Sequence, residues 1–319
     1  MLRGELSPGD AERKLREQSA SLLTFLSIVV PARDEADCIP LTIRNLHEKL
    51  RSQEIPHEVI VIDDGSTDST WEILQKERIH VPTLRPIQNT APYGFGRAII
   101  RGLDAMRGDA VVIMMADDSD DSGDVVRYWR KLQEGYDSVF GSRFIPGARL
   151  IGYPVSKLIL NRLANGFIRL LFRHRLNDTT NAFKAYRRTV IDGVRPILSP
   201  HFNITVELPL KAIVRGYSWA VIPITWRNRH HGTGKLAIRK WAAGISLSAS
   251  MFGSRSIFRR AIIGRRLRVR DGPYRRHHGV DLRLTKFDLI GRNVFPTTIV
   301  PKVSHLANST FHAEKGLHL

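Results

Sequence analysis

Cysteine is almost missing from this chain: Cys38 is the only one in 319 residues. That excludes an intrachain disulfide framework and any Cys-rich zinc module. Long apolar runs are also missing. Nowhere do 18 apolar residues follow one another, so no transmembrane helix is expected. The nearest approach, residues 242–252, is short, Ser-rich and flanked by Arg239, Lys240 and Arg255; it reads as a buried helix or as one lying on a membrane surface. The first 21 residues are of mixed charge, have no apolar h-region and do not read as a signal peptide. No internal repeat or low-complexity tract is visible. Acidic side chains become scarce past residue 130, where 9 face 33 basic ones, a net of +24; residues 1–130 carry 22 against 16, a net of −6. A half so basic implies an anionic partner: nucleic acid, phospholipid or a phosphorylated substrate. Apolar residues are plentiful at 42%, enough for a core and against disorder. The length suits one large α/β domain with appendages, or two small domains.

Strand and helix patterns alternate through the acidic half. Leu26–Val30 is a continuous apolar run that Pro31 is expected to end. Asp37 is placed to cap a helix carrying Ile39, Ile43, Leu46 and Leu50. Val59–Ile62 reads as a second strand, and Asp68 or Ser69 opens a helix to about Lys76. Gly94–Gly96 precedes a helix with Ala98, Ile99 and Leu103. Ala110–Met115 is a third strand, Val125–Leu132 a helix and Ser138–Phe140 a short strand. Helices over Lys157–Phe172 and Thr205–Val214 and a strand over Trp219–Ile224 follow. Alternation of this kind predicts an α/β fold with a mostly parallel, doubly wound sheet flanked by helices. Ligands bind such sheets outside the carboxyl ends of the strands.

Two acidic clusters fall at those ends. Asp63-Asp64-Gly65-Ser66-Thr67-Asp68 has carboxylates for a ribose or base and a glycine for a tight turn; it also reads as an ordinary strand–turn–helix with capping residues. Asp117-Asp118-Ser119-Asp120-Asp121 packs four carboxylates into five residues. Their repulsion is relieved by a hard cation such as Mg²⁺ or Mn²⁺ on a diphosphate, or by solvent around a helix cap. His230-His231 and His277-His278 have no partnering ligands at metal spacing and read as surface histidines. Cys38 reads as a buried or half-buried thiol, and Trp219, Trp226 and Trp241 as core or interfacial anchors.

The order of the pieces is more specific than any of them. Ile28-Val29-Val30-Pro31-Ala32-Arg33-Asp34-Glu35 comes first, then Asp63-Asp64-Gly65-Ser66, Gly94-Phe95-Gly96-Arg97-Ala98, the loop at 117–121, and Gly141-Ser142-Arg143-Phe144. This order resembles the family-2 glycosyltransferases of GT-A fold. Asp178-Thr179-Thr180-Asn181-Ala182-Phe183-Lys184-Ala185-Tyr186, Glu207, Ile222–Arg229 and Gly232-Thr233-Gly234-Lys235 resemble its polyprenol-phosphate (dolichol-phosphate) mannosyl- and glucosyltransferase branch. The resemblance spans about residues 26–240. It implies an N-terminal extension over 1–24, a glycosyltransferase domain over 25–245 and a basic, poorly structured extension over 246–319.

The resemblance further implies a nucleotide-sugar donor such as GDP-mannose or UDP-glucose, a Mg²⁺ or Mn²⁺ ion, a polyprenyl-phosphate acceptor and inversion at the anomeric carbon. Pro31, Glu35 and Asp64 match nucleotide-holding positions, and Ile62 and Ala116 fall with them. Asp117 matches the second aspartate of the Asp-X-Asp metal motif and Ser119 the polar metal contact after it. Arg143 matches an arginine near the diphosphate, and Arg229 with Lys235 a basic pair closing over phosphates. Three departures stand out. Met115 replaces the first metal aspartate, leaving Asp118, Asp120 or Asp121 to substitute. Arg33-Asp34 replaces a usual Tyr-Asn, and Gly234 a usual serine.

A phosphate acceptor gives the basic half a chemical reason. Its oxygen is already anionic near neutral pH, with a second pKa of about 6, so it requires no general base. It needs positive charge instead, with Arg143, Arg162, Arg229 and Lys235 as candidates, although Arg162 also reads as a solvated helix position. A sugar-hydroxyl acceptor would require a carboxylate base, Asp120 or Asp121. A catalytically degenerate relative is a further alternative because of Met115. A nucleic-acid-binding protein explains the charge but not the ordered acidic loops, so no nucleic-acid partner is expected. Residues 255–276 hold nine arginines against Asp271. They read as attachment to an anionic leaflet, as a solvated tail, or as a departure from the ancestral reading frame. The expected location is cytoplasmic, peripheral at the cytoplasmic face of a membrane.

Overall fold

The computed structural model describes residues 23–228. Arg229, Lys235, the His pairs, Trp241, the 242–252 segment and the arginines of 255–276 lie outside the described residues, as do residues 1–22.

The elements run β1 (Leu26–Ala32), α1 (Ile39–Ser52), β2 (His57–Asp63), α2 (Thr70–Glu77), β3 (Leu84–Gln88), α3 (Phe95–Ala105), β4 (Ala110–Ile113), α4 (Ser122–Gln133) and β5 (Ser138–Ser142). Then come β6 (Arg149–Ile151), α5 (Val155–Phe172), β7 (Lys184–Arg187), α6 (Arg188–Gly193), α7 (Ile204–Val214), β8 (Trp219–Pro223) and β9 (Thr225–Arg227). Seven strands form one sheet in the order β3-β2-β1-β4-β7-β5-β8; β6 and β9 pair separately. All pairings in the large sheet are parallel except those of β7, which runs antiparallel between β4 and β5. The mostly parallel, helix-flanked sheet expected from the sequence is the one observed.

Strand alternation divides the core into two layers. Leu26, Ile28 and Val30 of β1 face α1, α2 and α4, packing with Ile39, Ile43, Leu46, Leu74 and Val125. Val29, Ile60 and Ile62 face the other layer with Ala98, Ile99, Val190 and Leu208 from α3, α6 and α7. Strands covered on both faces read as continuous apolar runs, which is why β1, β2 and β4 are so plain in the sequence.

Several expectations are corrected. Pro31 does not end β1 but lies within it opposite Ile62, past the last β4 partner pair, Val29–Ile113; one side of the strand there needs no ladder donor. Asp37 does not cap α1: Cys38 precedes the helix without a side-chain cap, and Pro40 occupies the first turn. β3, β6, β7 and β9 carry no clear apolar period and escaped the sequence reading. The third strand stops at Ile113 rather than Met115, so Met115 belongs to the loop.

Candidate active site

The parallel strands β1, β2 and β4 end side by side, and their loops open a cavity of about 570 Å³. Pro31, Ala32, Arg33 and Glu35 follow β1 on its wall, Asp64 follows β2, and Met115, Asp117, Ser119 and Asp120 follow β4. Gly94 and Phe95 enter from the start of α3, Arg143 from the end of β5, Lys157 and Asn161 from α5. Thr180, Asn181, Ala182, Phe202, Trp226 and Asn228 complete the lining. Pro31, Glu35, Asp64, Asp117, Ser119, Asp120 and Arg143, scattered over more than a hundred residues, therefore share one space. Ile62 and Ala116 do not enter it: both side chains are buried in the core layers, and Ala116 contributes its carbonyl to Thr42 Oγ1 at 3.1 Å. Arg162 is exposed on α5, its guanidinium 5.1 Å from the Phe144 ring centre.

Asp64 is buried and ties two loops together. Its Oδ1 accepts from Asn89 Nδ2 at 2.8 Å and from the Gly94 amide at 3.2 Å. Gly65 follows at φ +74°, the left-handed turn that its lack of a Cβ permits. Asp68 accepts from the Thr70 amide at 3.0 Å and so opens α2. The start of α3 is held from behind. A Cβ on Gly96 would lie 2.2 Å from Ser199 O, and Phe95 packs against Phe202 at 5.0 Å between ring centres. The loop that presses there is gripped by Glu207, whose oxygens accept from the Leu198 and Ser199 amides at 2.8 and 2.7 Å and pair with Lys211. Burial opposes that carboxylate, yet these partners hold it below the usual glutamate range.

The acidic loop divides its four carboxylates among different tasks. Asp117 Oδ1 accepts from Ser119 Oγ at 2.5 Å. Asp120 is buried and accepts from the Met115 amide at 3.0 Å. Asp121 caps α4 through the Gly123 amide at 2.8 Å and meets Arg227 at 3.2 Å. Asp118 takes a left-handed φ of +57°. Strand β9 lies over this loop, with Trp226 bridged to Asp120 and the Arg227 amide donating to Ser119 O at 2.9 Å. Burial, and then the charge of Asp117, push the Asp120 carboxyl up to about 7, against the pull of the Met115 amide and Arg143.

Hard oxygen donors of this kind suit Mg²⁺ or Mn²⁺, whereas the Met115 thioether does not. Two buried carboxylates repelling across one loop are what a divalent cation would relieve. Among the described residues no cluster of three or more His, Cys, Asp or Glu side chains is set to hold a metal by itself. The remaining ligands would be diphosphate oxygens and water, the usual complement of such ions.

Across the cavity the charge reverses. Arg143 is buried, and its Nε and Nη2 meet Asp178 at 2.9 and 2.7 Å while its own amide donates to the same carboxylate at 2.9 Å. Burial works against the guanidinium, but Asp178 keeps it firmly protonated. Nη1 points to Tyr153 Oη at 3.4 Å. Lys157 Nζ sits 5.0 Å above Trp226 and 5.4 Å above Tyr153, beside the cavity. Trp219 is a core anchor, stacked on Phe140 at 5.7 Å. Trp226 is an anchor as well, but it also forms part of the wall.

Lys184 was not foreseen. Only 1% exposed in β7, its ammonium donates to the carbonyls of Thr179 (3.0 Å), Thr205 (3.2 Å) and Asn181. It thereby joins the 179–182 wall to α7. Burial lowers this amine to about 7 despite Asp178. Asp178 and Asn181, like Lys184, stand in the motif quoted for the resemblance but had no role there, since what they hold lies 35 to 40 positions away.

This chain has counterparts among known proteins. The chain is 28% identical over 243 residues to polyprenol monophosphomannose synthase of Mycolicibacterium smegmatis, covering 72% of this chain and 88% of that one. It is 28% identical over 215 residues to dolichol-phosphate mannosyltransferase of Pyrococcus furiosus, covering 66% of this chain but 59% of that longer one. Among solved structures, glucosyl-3-phosphoglycerate synthase of Mycobacterium tuberculosis in complex with Mn²⁺, UDP-glucose and phosphoglyceric acid superposes with a TM-score of 0.58 at 18% identity, over 79% and 85% of the two chains; at that identity the likeness is one of fold. The model of glycosyl transferase family 2 matches residues 27–195, more than half of the chain and most of the cavity wall. The protein belongs to glycosyl transferase family 2.

Proposed function

We propose that the protein moves a hexose from a nucleotide sugar, GDP-mannose or UDP-glucose, to a polyprenyl phosphate, with inversion at the anomeric carbon and at the cytoplasmic face of a membrane. The domain responsible is the one read over 25–245. The observation that carries this reading is the polarity of the cavity: buried carboxylates on one wall, Arg143 and Lys157 on the other. The names of the mannosyltransferase relatives support the acceptor class.

Pro31, Glu35 and Asp64 receive the nucleotide, and Asp64 is rigid because Asn89 and Gly94 hold it. Asp117, Ser119 and Asp120 would hold the divalent ion, which supplies charge neutralisation to the departing diphosphate. Arg143, oriented by Asp178, and Lys157 attract the acceptor phosphate, with Arg162 at the rim and Arg229 and Lys235 completing the phosphate grip from outside the described residues. A phosphate oxygen attacks the sugar C1, the C1–O bond to the nucleoside diphosphate breaks, and its electron pair leaves with the diphosphate. The attacking oxygen has no proton to lose, so positioning and charge account for catalysis.

A second reading has its own observation. Asp120, near 7, is suited to take a proton from a saccharide hydroxyl. Radiolabelled GDP-mannose and UDP-glucose, incubated with Mg²⁺ or Mn²⁺ and either undecaprenyl phosphate or an oligosaccharide mixture, separate the two. Label extracted into organic solvent with the lipid is the expected result. Label on saccharide alone selects the second reading, and no transfer to either acceptor refutes both.

A further inference from the structure

Helix α5 has two unlike faces. Ala164, Asn165 and Ile168 are buried against the protein, and Lys157 and Asn161 line the cavity. On the opposite side Val155, Ile159, Leu163 and Phe167 recur every four residues, with Leu170 one turn on. They are exposed, Leu163 at 66%, Phe167 at 50% and Leu170 at 79%. At 100° per residue these five fall within one 120° sector, some 22 Å long at 1.5 Å per residue. Arg162 and Arg169 lie along one border of the sector. Between Asp137 and Asp178 the chain has no acidic residue and seven basic ones: Arg143, Arg149, Lys157, Arg162, Arg169, Arg173 and Arg175.

We propose that this face docks α5 in the interface of an anionic phospholipid bilayer. Apolar side chains bordered by arginine, on a 138–177 segment that holds no acidic residue, match the acyl boundary and anionic headgroups of such a surface. A second copy fits poorly, because an antiparallel two-fold contact across this face would set the arginine border of one copy beside that of the other, and residues 138–177 supply no carboxylate to offset it. The inward face of the same helix lines the cavity, so docking sets the cavity mouth at headgroup level. Only this last consequence rests on the acceptor proposed above. The docking itself needs neither donor nor acceptor.

The full-length protein is sedimented with vesicles of phosphatidylcholine alone or with 30% phosphatidylglycerol, at 0.1 and 0.5 M salt, without substrates. The wild type is expected to bind the anionic vesicles and to remain partly bound at high salt. Leu163→Glu/Phe167→Glu should weaken that salt-resistant binding by about a hundredfold, given how membrane affinity scales with buried apolar area, with an unchanged melting temperature because both side chains are exposed. Arg169→Glu/Arg173→Glu should weaken the low-salt binding to anionic vesicles selectively. Wild-type protein that ignores anionic vesicles overturns the proposal, as does a Leu163→Glu/Phe167→Glu variant that binds like wild type. A wild-type dimer that the same pair dissolves, seen by sedimentation velocity, assigns the face to a second copy and also overturns it. Loss of glycosyl transfer with vesicle binding intact would fault the acceptor reading and leave the docking face standing.

Discussion

Asp120→Asn should make the metal-free protein more stable at alkaline pH than at acid pH relative to wild type, and the size of the effect follows from burial. Asp120 is 3% exposed and its carboxyl is pushed from 3.8 to about 7, first by burial and then by Asp117. Its folded-state value lies above its unfolded one. The stability contributed by the neutral acid is therefore fully present below pH 3.8 and is lost as pH rises through about 7. Between pH 5 and 8 the folded carboxyl gives up a proton that the unfolded one has already lost. At 1.36 kcal/mol per unit this amounts to about 2–3 kcal/mol. Asparagine keeps an oxygen for the Met115 amide and carries no charge at any of these values. Urea unfolding in EDTA, with each protein measured at pH 5 and 8, reads the difference directly. Wild type should lose about 2–3 kcal/mol relative to the variant across that interval. Parallel pH profiles for the two proteins would refute the buried-carboxylate argument.

Asp117→Ala should abolish Mg²⁺- or Mn²⁺-dependent transfer while leaving the fold intact; full activity would refute the metal assignment. Glu207→Gln breaks the pair with Lys211 and weakens the clasp on Leu198 and Ser199, at a cost of about 2–4 kcal/mol by chemical denaturation at pH 7. Because the folded carboxyl sits below 4.5, that cost should be full above pH 4.5 and fade as pH falls through the folded value. Lys184→Met leaves the Thr179, Asn181 and Thr205 carbonyls without their donor, and a melting curve at pH 7 should show several degrees of loss. The wild-type amine, near 7 when folded against 10.5 unfolded, should make stability rise from pH 7 toward 10; the variant should lack that rise.

The parallel half of the sheet and the acidic loops attached to it were legible in the linear order of residues. The central stretches of β1, β2 and β4 are buried on both faces and therefore read as near-continuous apolar runs, with carboxylates at or a few residues past the end of each. That is why the acidic clusters that hold Asp64, Asp117 and Asp120 could be placed at strand ends from the sequence, while the separate role of each residue came from the family resemblance. What depended on partners remote along the chain emerged only with the fold. Strand β7 carries Lys184 and Arg187, and they are buried because carbonyls from other segments receive their hydrogens. Arg143 looked like a cation awaiting phosphate, and only the fold brings Asp178 to it. Helix α5 has apolar residues on more than one side, and nothing in their spacing says which side the protein covers. Packing buries Ala164 and Ile168 and leaves Leu163 and Phe167 outside, since the helix turns only the face that carries Asn165 toward the 179–180 segment that it hydrogen-bonds.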